Sequence, residues 1–220
     1  MAISPLLVAR IQHAFPAPVR TRFVTALEEA YETACDKWTP ETGSIPQTFG
    51  MDVWAAATFQ LKRVAEDTDL AIDVEYHLNR TTLRRDGLFL SFYRVGHSAD
   101  EDIRTCFPNN RHAAPQLARN NLQLDIFLDG DPDPGAPVDL VLAHLGNHDR
   151  GLEAVYLCVP TAAEGEQLTE WGHYELLWRR DGLAAGGART RMPQPSAPAP
   201  EVPIGEPAIR LKTDRAASQE

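Results

Sequence analysis

The chain is poor in the residues that staple small proteins. It has only three cysteines in 220 residues, Cys35, Cys106 and Cys158. Their odd number, wide spacing and lack of any Cys-x-x-Cys pair exclude a disulfide framework and a zinc knuckle. Cys35 and Cys158 fall in apolar periodic segments, where a thiol acts as a small hydrophobe. Long hydrophobic runs are also missing. The N-terminal stretch MAISPLLVARIQHAF is interrupted by Pro5 and Arg10. Its apolar part is too short for a secretory leader, and nothing later approaches the roughly 20 apolar residues of a membrane span. These absences read as a reduced, cytoplasmic protein without membrane contact.

Basic charge is scarce as well. Lys and Arg total 21 against 31 Asp and Glu, a net charge of −10. Binding to nucleic-acid phosphates rests on clustered Lys and Arg, so nucleic acid is not the expected partner. Arg80, Arg84 and Arg85 form a local exception and read as a solvated turn. Complete catalytic signatures are absent too. There is no Gly-x-Ser-x-Gly elbow, no Gly-x-x-x-x-Gly-Lys and no Gly-x-Gly-x-x-Gly after a strand.

What is present is the composition of an ordinary globule, 43% hydrophobic and 24% charged. Apolar residues recur at helical spacing from Val19 through Phe23, Leu27, Tyr31 and Ala34 to Trp38, with Pro18 suited to the first turn. A shorter helix over Leu6 to Phe15 is expected before it. TPETGSIPQTF (Thr39 to Phe49) reads as a loop, and a further amphipathic helix is expected from Asp52 to about Asp67. After Asp69 the period changes to two. LAIDVEYHL (Leu70 to Leu78) and LFLSFYRV (Leu88 to Val95) read as strands, joined by a polar link with a hairpin signal at Asp86–Gly87. A helical turn is expected near Pro115 and a third strand over Leu122 to Leu128. Val138 to Leu145 and Leu152 to Val159 are apolar on both faces and therefore central, and Tyr174 to Arg179 is a sixth candidate.

Helices first and strands later predict an α+β fold, with N-terminal amphipathic helices packed on one face of a mostly antiparallel sheet of five or six strands. That arrangement leaves the other face polar. Residues 1–182 are expected to form this single domain. Beyond Gly182 the composition shifts: six of the chain's 17 prolines lie between Met192 and Pro207. Residues 183–220 therefore read as a Pro/Ala-rich flexible tail, with AIRLKTDR (208–215) as a short docking segment or a frayed end.

Two constellations carry candidate chemistry. On the polar side of the strands, Asp73, Glu75 and His77 share one side of the first, Asp125 lies on the third, and His173 and Glu175 on the last. Brought together they would form an acid–base or metal site; kept apart they are the wet face of an antiparallel sheet. A nuclease core would need an acidic residue two positions before a lysine on a central strand, and Glu153–Ala154–Val155 lacks it. Cys106 with His97 and His112 is a weaker grouping around one loop.

The second constellation is HLGNHDRG, His144 to Gly151. Its Gly-Asn-His-Asp resembles the motif of calcineurin-like metallophosphoesterases, in which the Asn binds a metal and the His stabilises the leaving group. The resemblance implies Asp131, Asn147 and His148 as metal ligands or acid, with divalent metal as cofactor. The chain departs from that family in having no Asp-x-His, a Gly130–Asp131 only about fifteen residues upstream, and a single His in Gly172–His173. A two-metal site needs a full ligand set. The other reading is a hairpin tip, with Gly and Asn supplying the turn and apolar runs on either side.

The function expected on balance is that of an intracellular binding or regulatory protein, with another protein as partner and no cofactor. The alternative is a metal-dependent hydrolase, phosphoesterase or nuclease, built on the acidic and His residues.

Overall fold

A computed structural model describes residues 3–77, 80–109, 113–122 and 136–180. Asp125, Asp131, His112 and the segment 183–220 lie outside the described residues, as does the side chain of His77.

Three helices come first: α1 (Pro5–Ala14), α2 (Ala17–Lys37) and α3 (Pro46–Ala65). Ser4 caps α1, its hydroxyl accepting from the Leu6 N–H at 3.2 Å. α3 starts six residues before the expected Asp52. Pro46 occupies its first turn, where no N–H is needed, and Thr48 Oγ1 accepts from the Ile45 N–H at 3.0 Å. The proline that read as loop is the helix start. Phe49, Val53, Ala57, Leu61 and Ala65, spaced by four, then form one buried stripe.

Among the described residues six strands form one sheet in sequence order: β1 (Asp73–His77), β2 (Arg80–Arg85), β3 (Leu88–Gly96), β4 (Val138–Asn147), β5 (Gly151–Glu164) and β6 (Gln167–Arg179). All neighbours pair antiparallel except β3 and β4, which run parallel. A parallel neighbour requires a crossover, and this one contains α4 (Ala113–Leu122). The expected α+β architecture, helices first and a mostly antiparallel sheet after, is what forms. Two details differ. β2 replaces the polar link: Thr81, Thr82 and Leu83 are buried, and Thr82 shares a hydrogen bond of 3.3 Å with Ser91 of β3. β-branched threonines pair in a sheet as well as apolar residues do. Leu122, placed at the head of a strand by alternation, ends α4 instead.

The face opposite α1–α3 is also more covered than expected. α1–α3 bury Leu83, Leu90, Leu140, Leu142, Val155 and Leu157 on one side of the sheet. On the other, Ala114, Leu117 and Ala118 of α4 join Ile103 and Cys106 over Val141, Ala143, Leu145, Ala154 and Cys158. Alternate residues of β4 and β5 thus feed two cores, which explains their apolarity on both faces. No helix among the described residues is long and apolar enough to cross a membrane.

Candidate functional site

The octapeptide HLGNHDRG forms the end of β4, the hairpin and the start of β5, with Asp149 and Arg150 exposed at its tip. His144 is buried against α2, its Nδ1 3.0 Å from Tyr31 Oη. Burial first, and the Arg94 guanidinium second, push the imidazole pKa down to about 3. Burial likewise drives the Tyr31 hydroxyl far above its usual range. Both groups are therefore neutral at pH 7. Leu145 enters the second core. Gly146 is there because a Cβ would lie 2.4 Å from Gly151 O and 2.5 Å from Tyr31 Cε1.

Asn147 closes the turn. Its Oδ1 accepts from the N–H groups of Asp149 and Arg150 at 2.9 and 2.8 Å, and its Nδ2 donates to His97 O at 2.8 Å. The carboxamide that the phosphoesterase resemblance assigns to a metal is thus engaged by the hairpin itself. His148 stacks flat on Trp38, ring centroids 4.2 Å apart and planes at 8°, with Phe49 edge-on to both. Asp149 Oδ1 lies 3.1 Å from His148 Nδ1, an ion pair only when that imidazole is protonated. Gly151 has φ +76°, a conformation that favours glycine. Arg150 Nε sits 3.1 Å from the buried carboxylate of Glu153, which Arg180 Nη1 approaches to 4.0 Å.

Asp73 and Glu75 do not converge with His173 and Glu175. β1 and β6 are the two edges of the sheet, five strand spacings or about 24 Å apart. They also differ in face. Ile72 and Val74 pack toward α1–α3, so Asp73 and Glu75 project from the opposite side, where Glu75 pairs with Arg84 at 3.2 Å. His173 and Glu175 stand opposite Val159 and Leu157 of β5, on the helix side. His77 closes β1. Among the described residues, no group of three His, Cys, Asp or Glu is placed to hold a metal ion. Cys106 is buried beside Glu101, its Sγ 3.7 Å from the carboxylate; burial and then that charge raise the thiol's pKa, the reverse of activation.

What the structure does assemble is a groove between α2 and β6, the last strand of the sheet among the described residues. It has a volume of about 230 Å³ and is lined by Ala17, Thr21 and Val24 from the helix and by Leu176, Leu177 and Trp178 from the strand. Arg20 ties its walls together. Its Nε donates to Phe15 O and its Nη1 to Glu175 Oε1, both at 2.5 Å, while its buried Nη2 has no hydrogen-bond partner among the described residues. Beside this pair, His173 has its pKa lowered, first by burial and then by Arg20, with Glu175 acting the other way. Of the residues singled out from sequence, the structure brings together only His173 and Glu175 here. Arg20 and Trp178 were not foreseen as site residues. The one sequence signal was Arg20, a cation in the first turns of a helix where the dipole disfavours it.

A second groove, of about 300 Å³, lies between α2 and α3 and is polar, crossed by an ion pair between Arg22 and Asp67. The Arg22 hydrogen bond, then the Asp69 N–H, hold the Asp67 carboxyl below its usual pKa. Groups already paired to one another offer a ligand less than an open strand edge does. No protein-family model, curated protein or solved structure matches this chain.

Proposed function

We propose that the chain is a binding protein that takes an extended segment of another protein along the edge of β6. The observation that carries this reading is the edge itself. Among the described residues β6 is a 13-residue strand paired on one side only, with half-exposed Tyr174 on one face, the α2 groove on the other and half-exposed Leu176 at the groove's rim. A long unpaired strand presents a row of N–H and C=O groups that another chain can complete. Main-chain hydrogen bonds then supply affinity, and pockets for alternate side chains supply selectivity. Here Leu177 and Trp178 take the apolar side chains that point toward α2. The Arg20–Glu175 pair gives the same groove a polar wall beside these apolar side chains.

The test is selection of random ten-residue peptides on the full-length chain, followed by hydrogen exchange on the complexes. The expected result is a set of peptides with apolar residues at alternate positions that slow exchange at Trp171 to Arg179. Absence of enrichment, or protection confined to another region, would overturn the reading.

A further inference from the structure

α3 carries a second apolar stripe that none of the described residues covers. Its buried residues, Phe49 to Ala65, occupy one side. Diametrically opposite, at the 100° per residue of an α-helix, lie Met51, Ala55 and Phe59, with Trp54 and Ile45 on the flanks. Met51 is 70% exposed, Phe59 60%, Ile45 50% and Trp54 41%. At roughly 200 Å² for each large side chain, these four leave on the order of 450 Å² of apolar surface in water, the size of the largest patch on a typical monomer, which is often functional.

We propose that this face of α3 pairs with the same face of a second copy of the chain, the two helices crossing antiparallel about a two-fold axis at Ala55. Three observations select this occupant. The stripe is self-complementary: the axis at Ala55 places Met51 of each copy against Phe59 of the other, a sulfur–aromatic contact, and puts the small residue where backbones approach closest. The same operation sets Asp52 of one copy on the flank of Lys62 of the other. The charges on this face, Asp52, Lys62, Arg63 and Glu66, the last paired with Lys62 at 3.5 Å, balance one another, so association here meets little of the repulsion expected from a net charge of −10. The area also fits. Two such patches at the roughly 65% apolar content of homodimer interfaces give about 1,400 Å² in total, within the range of specific complexes.

Sedimentation equilibrium on the full-length chain from 2 to 200 μM tests the pairing. The expected result is a monomer–dimer equilibrium whose dissociation constant rises at least about 100-fold in Ala55→Arg. A monomer at every concentration would overturn the proposal, as would a dimer indifferent to Ala55→Arg. Should that variant not fold, cysteine cross-linking in a Cys35→Ser background decides. Ala55→Cys oxidises to a covalent dimer. Phe59→Cys does not link to itself but links to Met51→Cys when the two are mixed. Any other pattern would also refute the axis.

Discussion

Tyr31 of α2 and His144 of β4 share a hydrogen bond of 3.0 Å in full burial, and the pair joins the helical layer to the centre of the sheet. With its pKa down at about 3, His144 resists protonation in the folded chain, whereas in the unfolded chain it titrates near 6.5. A depressed folded pKa contributes stability above the unfolded value and loses it as pH falls toward the folded one. Stability should therefore drop between pH 6.5 and about 3, by about 1.4 kcal/mol per pH unit from this group alone. Asp139, whose carboxyl is raised by burial, works with the opposite sign. Comparing the wild type with His144→Asn isolates the His144 part: denaturant melts from pH 7 to 4 should show a shallower decline in the variant. Parallel declines would sink the assignment.

Asn121 predicts a large local effect. Its Nδ2 donates to both Asp139 O and Pro160 O, and its Oδ1 accepts from the Asp139 N–H, all at 2.9 Å and buried. It thus serves β4 and β5 near Pro160, which has no N–H to give the ladder. Asn121→Ala leaves one donor and two acceptors buried without partners and should cost about 3 kcal/mol. Asn121→Asp, which restores only the acceptor, should recover a minor part. Urea midpoints with an unchanged slope provide the check.

At Gly146 the limit is steric. A Cβ would sit 2.4 Å from backbone oxygen and 2.5 Å from a Tyr31 ring carbon, and neither can yield without moving the hairpin off α2. Gly146→Ala is expected to destabilise by at least about 2 kcal/mol. In contrast, Gly165→Ala meets nothing within 4 Å, and its cost arises only from a φ of +57°. The two thermal shifts, measured side by side, should differ clearly in that order.

These cases show what the sequence made legible. Periodicity located α2, β3, β4 and β5, because each of these elements buries a repeating set of side chains. It missed β2, since Thr81 and Thr82 are polar by composition and buried only through Leu83 and the partner Ser91. Pro46 was misleading because a proline opens a helix as readily as it breaks one. Site residues were harder to see. HLGNHDRG advertised chemistry, yet its roles depend on Tyr31 and Trp38, residues distant in sequence and read as plain core. The polar strand residues looked like one face because spacing along a strand says nothing about strand order, and order places Asp73 and His173 on opposite edges.

The groove pair separates stability from binding. Arg20 is 11% exposed and Glu175 34%. Removing one partner of a mostly buried ion pair is costly because the other charge stays behind, whereas replacing both by apolar residues is close to neutral. Glu175→Ala should lose about 2 kcal/mol, less than a fully buried pair because Glu175 is partly solvated. Arg20→Met with Glu175→Leu should melt within about 1 kcal/mol of the wild type. That double variant also replaces the polar pair that lines the groove beside the strand edge. Peptides selected on the wild type should bind it at least about 10-fold more weakly, a loss of about 1.4 kcal/mol. A stable double variant that binds them with undiminished affinity would place recognition elsewhere on the chain.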